Sequence, residues 1–310
     1  MIEVVEPGAL TSVQTANGRP GWRYLGVPAG GAADPWNARL ANRLVGNADD
    51  AAVLEVTLHG PTLRFAASTA VALTGAEFDA SLDGLPLPRG VGRRVRSGSL
   101  VRFGLGDGAR GYLAVAGGIQ VEPLLGSFST DLRTGFGGHS GRALQVDDRL
   151  SCGPTTGVTR RWTGRAPTGP IRIVSGPHAG ADQLAEHGWI VAAEADRAGV
   201  RLDGAWAEGE RAEVSSMGLP LGSIQVPPDG RPIVMLADRP VTGGYPVPAC
   251  VIRADIGRMA ALRPGDRVAF ALVSPHDARA AFRHFEDELA ALEDAEAPSD
   301  DEPAWAGALE

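Results

Sequence analysis

Lysine is missing from this chain: all 29 basic side chains among its 310 residues are arginines. That absence excludes biotin carried on the chain itself, a Schiff base, and the amine that a P-loop extends to nucleotide phosphates. An anion held here must be met by guanidinium forks, backbone N–H groups or helix N-termini. Cysteine is nearly as scarce. Cys152 and Cys250 read as two separate thiols in a reducing compartment, and neither is given a role.

No apolar run approaches the roughly 20 residues that cross a bilayer. The opening Met1-Ile2-Glu3-Val4-Val5-Glu6-Pro7-Gly8 lacks the basic start and apolar stretch of a signal peptide. The expectation is a cytoplasmic protein without a membrane partner. A formal net charge of -8 leaves no basic face to neutralise phosphates, so nucleic acid is not an expected partner. His-Glu-x-x-His, Cys-x-x-Cys, the Gly-x-Ser-x-Gly elbow and a dinucleotide fingerprint after a strand are all absent. The six histidines, at 59, 139, 178, 187, 276 and 284, are scattered, and no metal site is expected.

What is plentiful is glycine, 42 residues, and proline, 23, placed as punctuation between short apolar runs. Such runs predict a mainly β protein with a few helices, built as barrels or sandwiches. Expected strands include residues 2–5, 53–58, 70–73, 100–103 and 111–115, then 171–174, 200–202, 212–214, 233–236, 249–252 and 268–272. Asp34-Pro35 signals a capped helix over 36–45 closed by Gly46. A second helix is expected from Asp255 to before Pro264. A third follows Ser274, Pro275 and Asp277, with Phe282, Phe285, Leu289 and Leu292 as an apolar stripe read as core packing. The length allows two domains, expected over 1–155 and 166–293, joined by a Gly/Thr/Pro/Arg linker and followed by an acidic, disordered tail over 294–310.

Three polar clusters are candidates for chemistry. Gly18 to Asp34 is a glycine-rich loop feeding a helix, suited to a phosphate or carboxylate through N–H groups and Arg19, although ordinary loop geometry accounts for it as well. Leu125 to His139 offers the hydroxyls of Ser127 and Thr130, against the plainer reading of a solvated Ser/Thr turn. Ser216 to Val247 carries the strongest signal. Two polar, Gly/Pro-rich turns bracket one buried strand, and Gln225, Asp238, Thr242, Gly243, Gly244 and Tyr245 would converge at strand ends on the mouth of a barrel.

In these clusters the chain resembles the family known variously as allophanate hydrolase subunit 2, biotin-dependent carboxyltransferase family protein and the C component of prokaryotic 5-oxoprolinase. The resemblance runs in order through Gly18 to Asp34, Ala41 to Asn47, Leu54-Glu55-Val56-Thr57, Gly60-Pro61-Thr62-Leu63, Ala116-Gly117-Gly118-Ile119, Gly126 to Asp131, Asp196-Arg197 with Arg201-Leu202, and Gly218 to Pro246. It implies two cyclophilin-like β-barrel domains in a cytoplasmic heteromer with the 5-oxoprolinase B component, a relative of allophanate hydrolase subunit 1, and with the A component. The implied activity is an ATP-dependent hydrolase reaction: opening of the 5-oxoproline lactam to glutamate, with ATP bound at the interface between components and no biotin attached to this chain. The resemblance implies catalytic roles for Asp238, Tyr245 and Asp34. It implies substrate or nucleotide binding by Arg19, Ser127, Thr130, Arg197, Arg201, Gln225, Thr242, Gly243 and Gly244. Two alternatives stay open: the carboxyltransferase part of a biotin-dependent urea carboxylase-like system, and a non-catalytic regulator of a sensor kinase. Gln14-Thr15-Ala16-Asn17, Phe128 and Pro240-Val241 depart from the family pattern and bear on substrate preference.

Overall fold

The computed structural model describes residues 1–155, 157–204, 206 and 214–294. Of the strand expected at 212–214 only Val214 is among them, and the tail beyond Asp294 lies outside them. The chain forms two compact units that are not contiguous halves. One comprises Met1–Gly18, Pro35–Gly164 and the residues from Glu288 on; the other comprises Arg19–Asp34 and Arg165–Asp287. The stretch 19–34, expected inside the first domain, therefore folds with the second.

The N-terminal unit is an 11-stranded sheet with a hydrophobic interior. Period-two alternation decides its faces. In the strand Val53–His59, Leu54 and Val56 are fully buried in the core, while Glu55 lies on the opposite face. Helix α1, Pro35–Leu44, packs on this sheet and buries Ala38, Leu40, Ala41 and Leu44, each side chain contributing about 1 to 3 kcal/mol. The strands expected separately at 100–103 and 111–115 are one long strand, Leu100–Val115, which pairs with four others.

Part of the expected linker is bound to this unit. Arg160–Arg161 pairs antiparallel with Glu293–Asp294, and the Trp162 N–H donates to the Gly90 carbonyl at 2.9 Å. The Trp162 ring meets Trp36 edge-on, centroids 5.3 Å apart. A tryptophan has too much apolar area to be left in a solvated connection.

The C-terminal unit is a closed barrel in the order Ile171–Ser175, Ala249–Val251, Ser223–Gln225, Ile233–Met235, Gly199–Asp203, Gly188–Val191, Arg267–Leu272. The last strand returns to the first in parallel register and completes the ring. Alternating pairs such as Ile171/Ile173, Val200/Leu202 and Val268/Phe270 fill it. Helix α2, Ala181–Glu186, was not signalled in the sequence. It buries Leu184, whose carbonyl accepts the indole N–H of the buried Trp189 at 3.0 Å. Helix α3, Ile256–Ala260, follows a 3-10 turn at Arg253–Asp255. Helix α4, Pro275–Ala290, starts as expected at Ser274, whose hydroxyl accepts the Asp277 N–H. Its residues Phe285 and Leu289 are buried, whereas Phe282 lies under the Arg253 guanidinium at 4.5 Å.

Candidate functional site

The best-built polar site belongs wholly to the C-terminal unit. It begins with a turn ahead of the strand Gly199–Asp203, where Asp196 accepts the N–H groups of Ala198 and Gly199 at 2.7 and 3.0 Å. A Cβ on Gly199 would come within 2.9 Å of Ile233 and 3.0 Å of the Val234 carbonyl, so only glycine lets the turn approach the neighbouring strand. Backbone bonds from Leu236 to Ala198 and from Asp238 to Arg197, each 2.9 Å, extend the pairing beyond the regular strands. Arg197 and Asp238 are brought together by this register.

Their side chains then join twice. Arg197 Nε donates to Asp238 Oδ2 at 2.8 Å and Nη2 to Oδ1 at 3.0 Å, with both side chains about nine-tenths buried. Arg197 Nη2 also donates to the Gly31 carbonyl at 2.6 Å, which ties the glycine-rich loop to the barrel. Arg19 is fully buried in the same place: its Nη1 is 3.3 Å from where a Cβ on Gly30 would lie, and Asp238 Oδ1 is 3.9 Å from that point. Positive φ at Gly30 and Gly31 is what turns the loop over these side chains.

Two further arginines flank the site. Arg23 Nη2 donates to the carbonyls of Leu219 and Val241, both at 2.8 Å. Arg239 donates from Nε to the same Leu219 carbonyl at 2.8 Å and from Nη1 to Leu236 at 3.1 Å. Burial, and then the charge of Arg23, lower the pKa of Arg239 to about 10. A cleft of about 540 Å³ opens here, lined by Arg23, Tyr24, Gly218, Pro220, Val241 and Thr242.

Gln225 is buried and donates from Nε2 to the Tyr245 carbonyl at 3.3 Å. Its amide lies against Gly243, where a Cβ would fall 2.6 Å from Nε2. Thr242 and Gly243 pair with Gly218 and Met217 in a two-stranded ribbon, and Tyr245 is exposed. Val214 donates its N–H to the Gly244 carbonyl at 3.1 Å. Asp34 is buried with its carboxylate against Gly257 in the first turn of α3.

Thus Arg19, Arg197, Asp238 and the loop glycines form one cluster, and Gln225, Thr242, Gly243, Gly244 and Tyr245 form the adjoining ribbon and turn. Arg201 is separate: it lies within the strand Gly199–Asp203 and pairs with Asp229 at 2.8 Å. Ser127 and Thr130 lie in the N-terminal unit. The Thr130 hydroxyl donates to the Val13 carbonyl at 2.9 Å, and Ser127 Oγ accepts the Ser129 N–H at 3.1 Å. Arg23 and Arg239 were not singled out from sequence, although the spacing Asp238-Arg239-Pro240 inside the strongest cluster and Arg23 inside the glycine loop were the available signals. Among the described residues no group of three or more His, Cys, Asp or Glu is arranged to hold a metal ion. No described helix is long and apolar enough to cross a membrane.

Chemically, the site presents guanidinium donors around main-chain carbonyls and one carboxylate that Arg197 already engages on both oxygens. Such an arrangement favours negative charge on a ligand and uses Asp238 to hold Arg197 in place.

A mainly β protein of two barrel units, the second carrying an arginine-rich mouth closed by a glycine loop, is the class that fold and site define. Residues 25–272 match the carboxyltransferase domain, subdomain A and B, and the chain belongs to that family. It is 38% identical over 298 residues to the C component of 5-oxoprolinase from Escherichia coli, covering 90% of this chain and 93% of the relative. It is 32% identical to the urea amidolyase of Saccharomyces cerevisiae, covering 90% of this chain but 17% of that protein. Among solved structures, TTHA0988 superposes with a TM-score of 0.80 at 38% identity, covering 87% of this chain and 55% of that one. The urea amidolyase of K. lactis superposes with a TM-score of 0.82 at 31% identity, covering 93% and 20%. The chain therefore spans about half of the TTHA0988 chain and a fifth of the amidolyase.

Proposed function

We propose that this chain is the C component of an ATP-dependent 5-oxoprolinase that, with the B component, activates the lactam of 5-oxoproline for hydrolysis to glutamate, the A component completing the reaction. The observation that supports this reading is coverage. The match to the 5-oxoprolinase C component extends over 93% of that protein, whereas urea amidolyase is matched over 17% of its length. An amide is a poor electrophile, and phosphorylating its oxygen supplies a leaving group. ATP supplies that phosphoryl group, and we place it at the interface with the B component in the cytoplasm. This chain's part is to hold negative charge: Arg197, fixed by Asp238 and the loop carbonyl of Gly31, and the fully buried Arg19 sit in a buried site where such donors act strongly. Thr242 and Tyr245 offer exposed side chains in the ribbon and turn that follow Asp238 in the chain.

A second reading rests on the family itself and on the urea amidolyase relatives: the carboxyltransferase part of a biotin-dependent system. Carboxybiotin would then arrive on another polypeptide, because no lysine here can bear it. Co-purification with the cognate B component, followed by ATP-dependent glutamate formation from 5-oxoproline on adding the A component, tests the first reading. Glutamate formation with ATP consumption is the expected result. Carboxyl transfer from carboxybiotin without ATP-dependent lactam opening would replace it with the second.

A further inference from the structure

Arg23 and Arg239 converge on a single oxygen, the carbonyl of Leu219, each at 2.8 Å. Two like charges brought this close repel, and Arg239 is only 8% exposed to the water that would screen them. Most buried guanidinium groups are matched by a carboxylate. In this unit Arg172 has Asp255 and Arg197 has Asp238. Arg23 and Arg239 have only the carbonyls of Leu219, Val241 and Leu236 among the described residues. The Asp238 carboxylate, next in sequence to Arg239, is turned to Arg197.

Each guanidinium keeps N–H donors beyond those bonds. Beside Arg23 lies the cleft of about 540 Å³, whose lining includes Arg23, Gly218 and Thr242, while Arg239 is linked to it through the Leu219 carbonyl that it shares with Arg23. Its floor is open at Gly218, where an added Cβ would meet nothing within 4 Å. Room, a guanidinium lining it with spare donors, and a second buried guanidinium that Asp238 offsets only in part occur together.

We propose that Arg23, with the buried positive charge of Arg239 adding to its attraction, forms a binding subsite for a small oxyanion, a carboxylate or a phosphate, seated in the cleft over Gly218. The planar fork of Arg23 matches two oxygens of either group, and the anion relieves the repulsion between the two cations. The main-chain bonds hold both forks in place before the ligand arrives, so little side-chain freedom is lost on binding. This subsite is independent of whether the chain opens a lactam.

The test is calorimetric titration of the full chain with inorganic phosphate and, separately, with 5-oxoproline as the carboxylate source, against chloride at matched ionic strength. Saturable binding of one or both oxyanions is expected, and the two arms distinguish which chemistry the subsite takes. Arg23→Gln should weaken that binding at least about tenfold. Gly218→Val, which places a branched side chain where the anion would sit and leaves both arginines in place, should abolish it while the unfolding midpoint stays near that of the unsubstituted chain. If neither oxyanion binds beyond chloride, or if both variants bind as tightly as the parent, the subsite does not exist. Oxyanion binding lost in both variants but with no ATP-dependent lactam opening would overturn the proposed activity and leave the subsite standing.

Discussion

Asp34 and Gly257 compete for one volume: the Asp34 carboxylate occupies the space that any side chain on Gly257 would enter. Glycine at the first turn of α3 thus permits an acidic residue, from a segment more than two hundred positions earlier, to be buried there. Gly257→Ala should cost about 1 to 3 kcal/mol through overpacking and displacement of the carboxylate. Gly218→Ala, facing open space, should change stability by no more than about 0.5 kcal/mol. Urea unfolding of the two variants compares them directly, and equal midpoints would contradict the packing argument.

The Arg197–Asp238 pair should behave as one unit. Removing either partner leaves a buried charge, so Asp238→Ala and Arg197→Met should each destabilise by about 3 to 5 kcal/mol. The double variant should lose clearly less than the sum, because no lone charge remains. Strict additivity in a double-mutant cycle would show that the two side chains are not coupled.

Asp148 sets an acid limit on the N-terminal unit. Arg142 donates to both its oxygens, at 2.7 and 2.8 Å, and holds its carboxyl well below the usual range against the opposing effect of partial burial. The Gln145 N–H and His139 add to this. With the folded-state pKa depressed, the stabilisation is present above the unfolded value of about 3.9 and is lost as pH falls toward the folded value. Unfolding free energy measured from pH 6 to pH 2 should therefore fall more steeply for the parent than for Asp148→Asn. Parallel curves would show that Asp148 sets no such limit.

Tyr245 separates chemistry from stability. Its side chain is exposed, and its backbone carbonyl, not its hydroxyl, accepts the bond from Gln225. Tyr245→Phe should leave the unfolding midpoint unchanged. If the hydroxyl moves a proton in lactam opening, the substitution should lower glutamate formation by about a hundredfold or more in the assembled system. Full activity would reduce Tyr245 to a contact residue.

Much of the local structure was readable because it rests on local rules. Short apolar runs between glycines and prolines marked the strands at 171–174 and 268–272, and Ser274 with Asp277 marked the start of α4. The cluster Gln225, Asp238, Thr242 to Tyr245 was legible from its turn chemistry, since glycine and proline in that density signal constrained backbone. Helix α2 was hidden, being six residues without a side-chain cap. The membership of 19–34 in the second unit was hidden as well, because nothing local distinguishes a loop that stays with its neighbours from one that is captured by Arg197 through the carbonyl of Gly31. Arg201 was assigned to the site by the family resemblance, and its strand carries it to Asp229 instead.

Composition and periodicity alone settled that the chain is mainly β and that any anion it holds must be met without an amine, because these depend on residue type and short-range spacing. Which arginines share a partner was decided by the fold. Arg197 finds a carboxylate 41 positions away, and Arg23 meets Arg239 at one carbonyl oxygen. Charge pairing depends on separations of a few ångströms between atoms distant in the chain, and only closure of the barrel brings those atoms together.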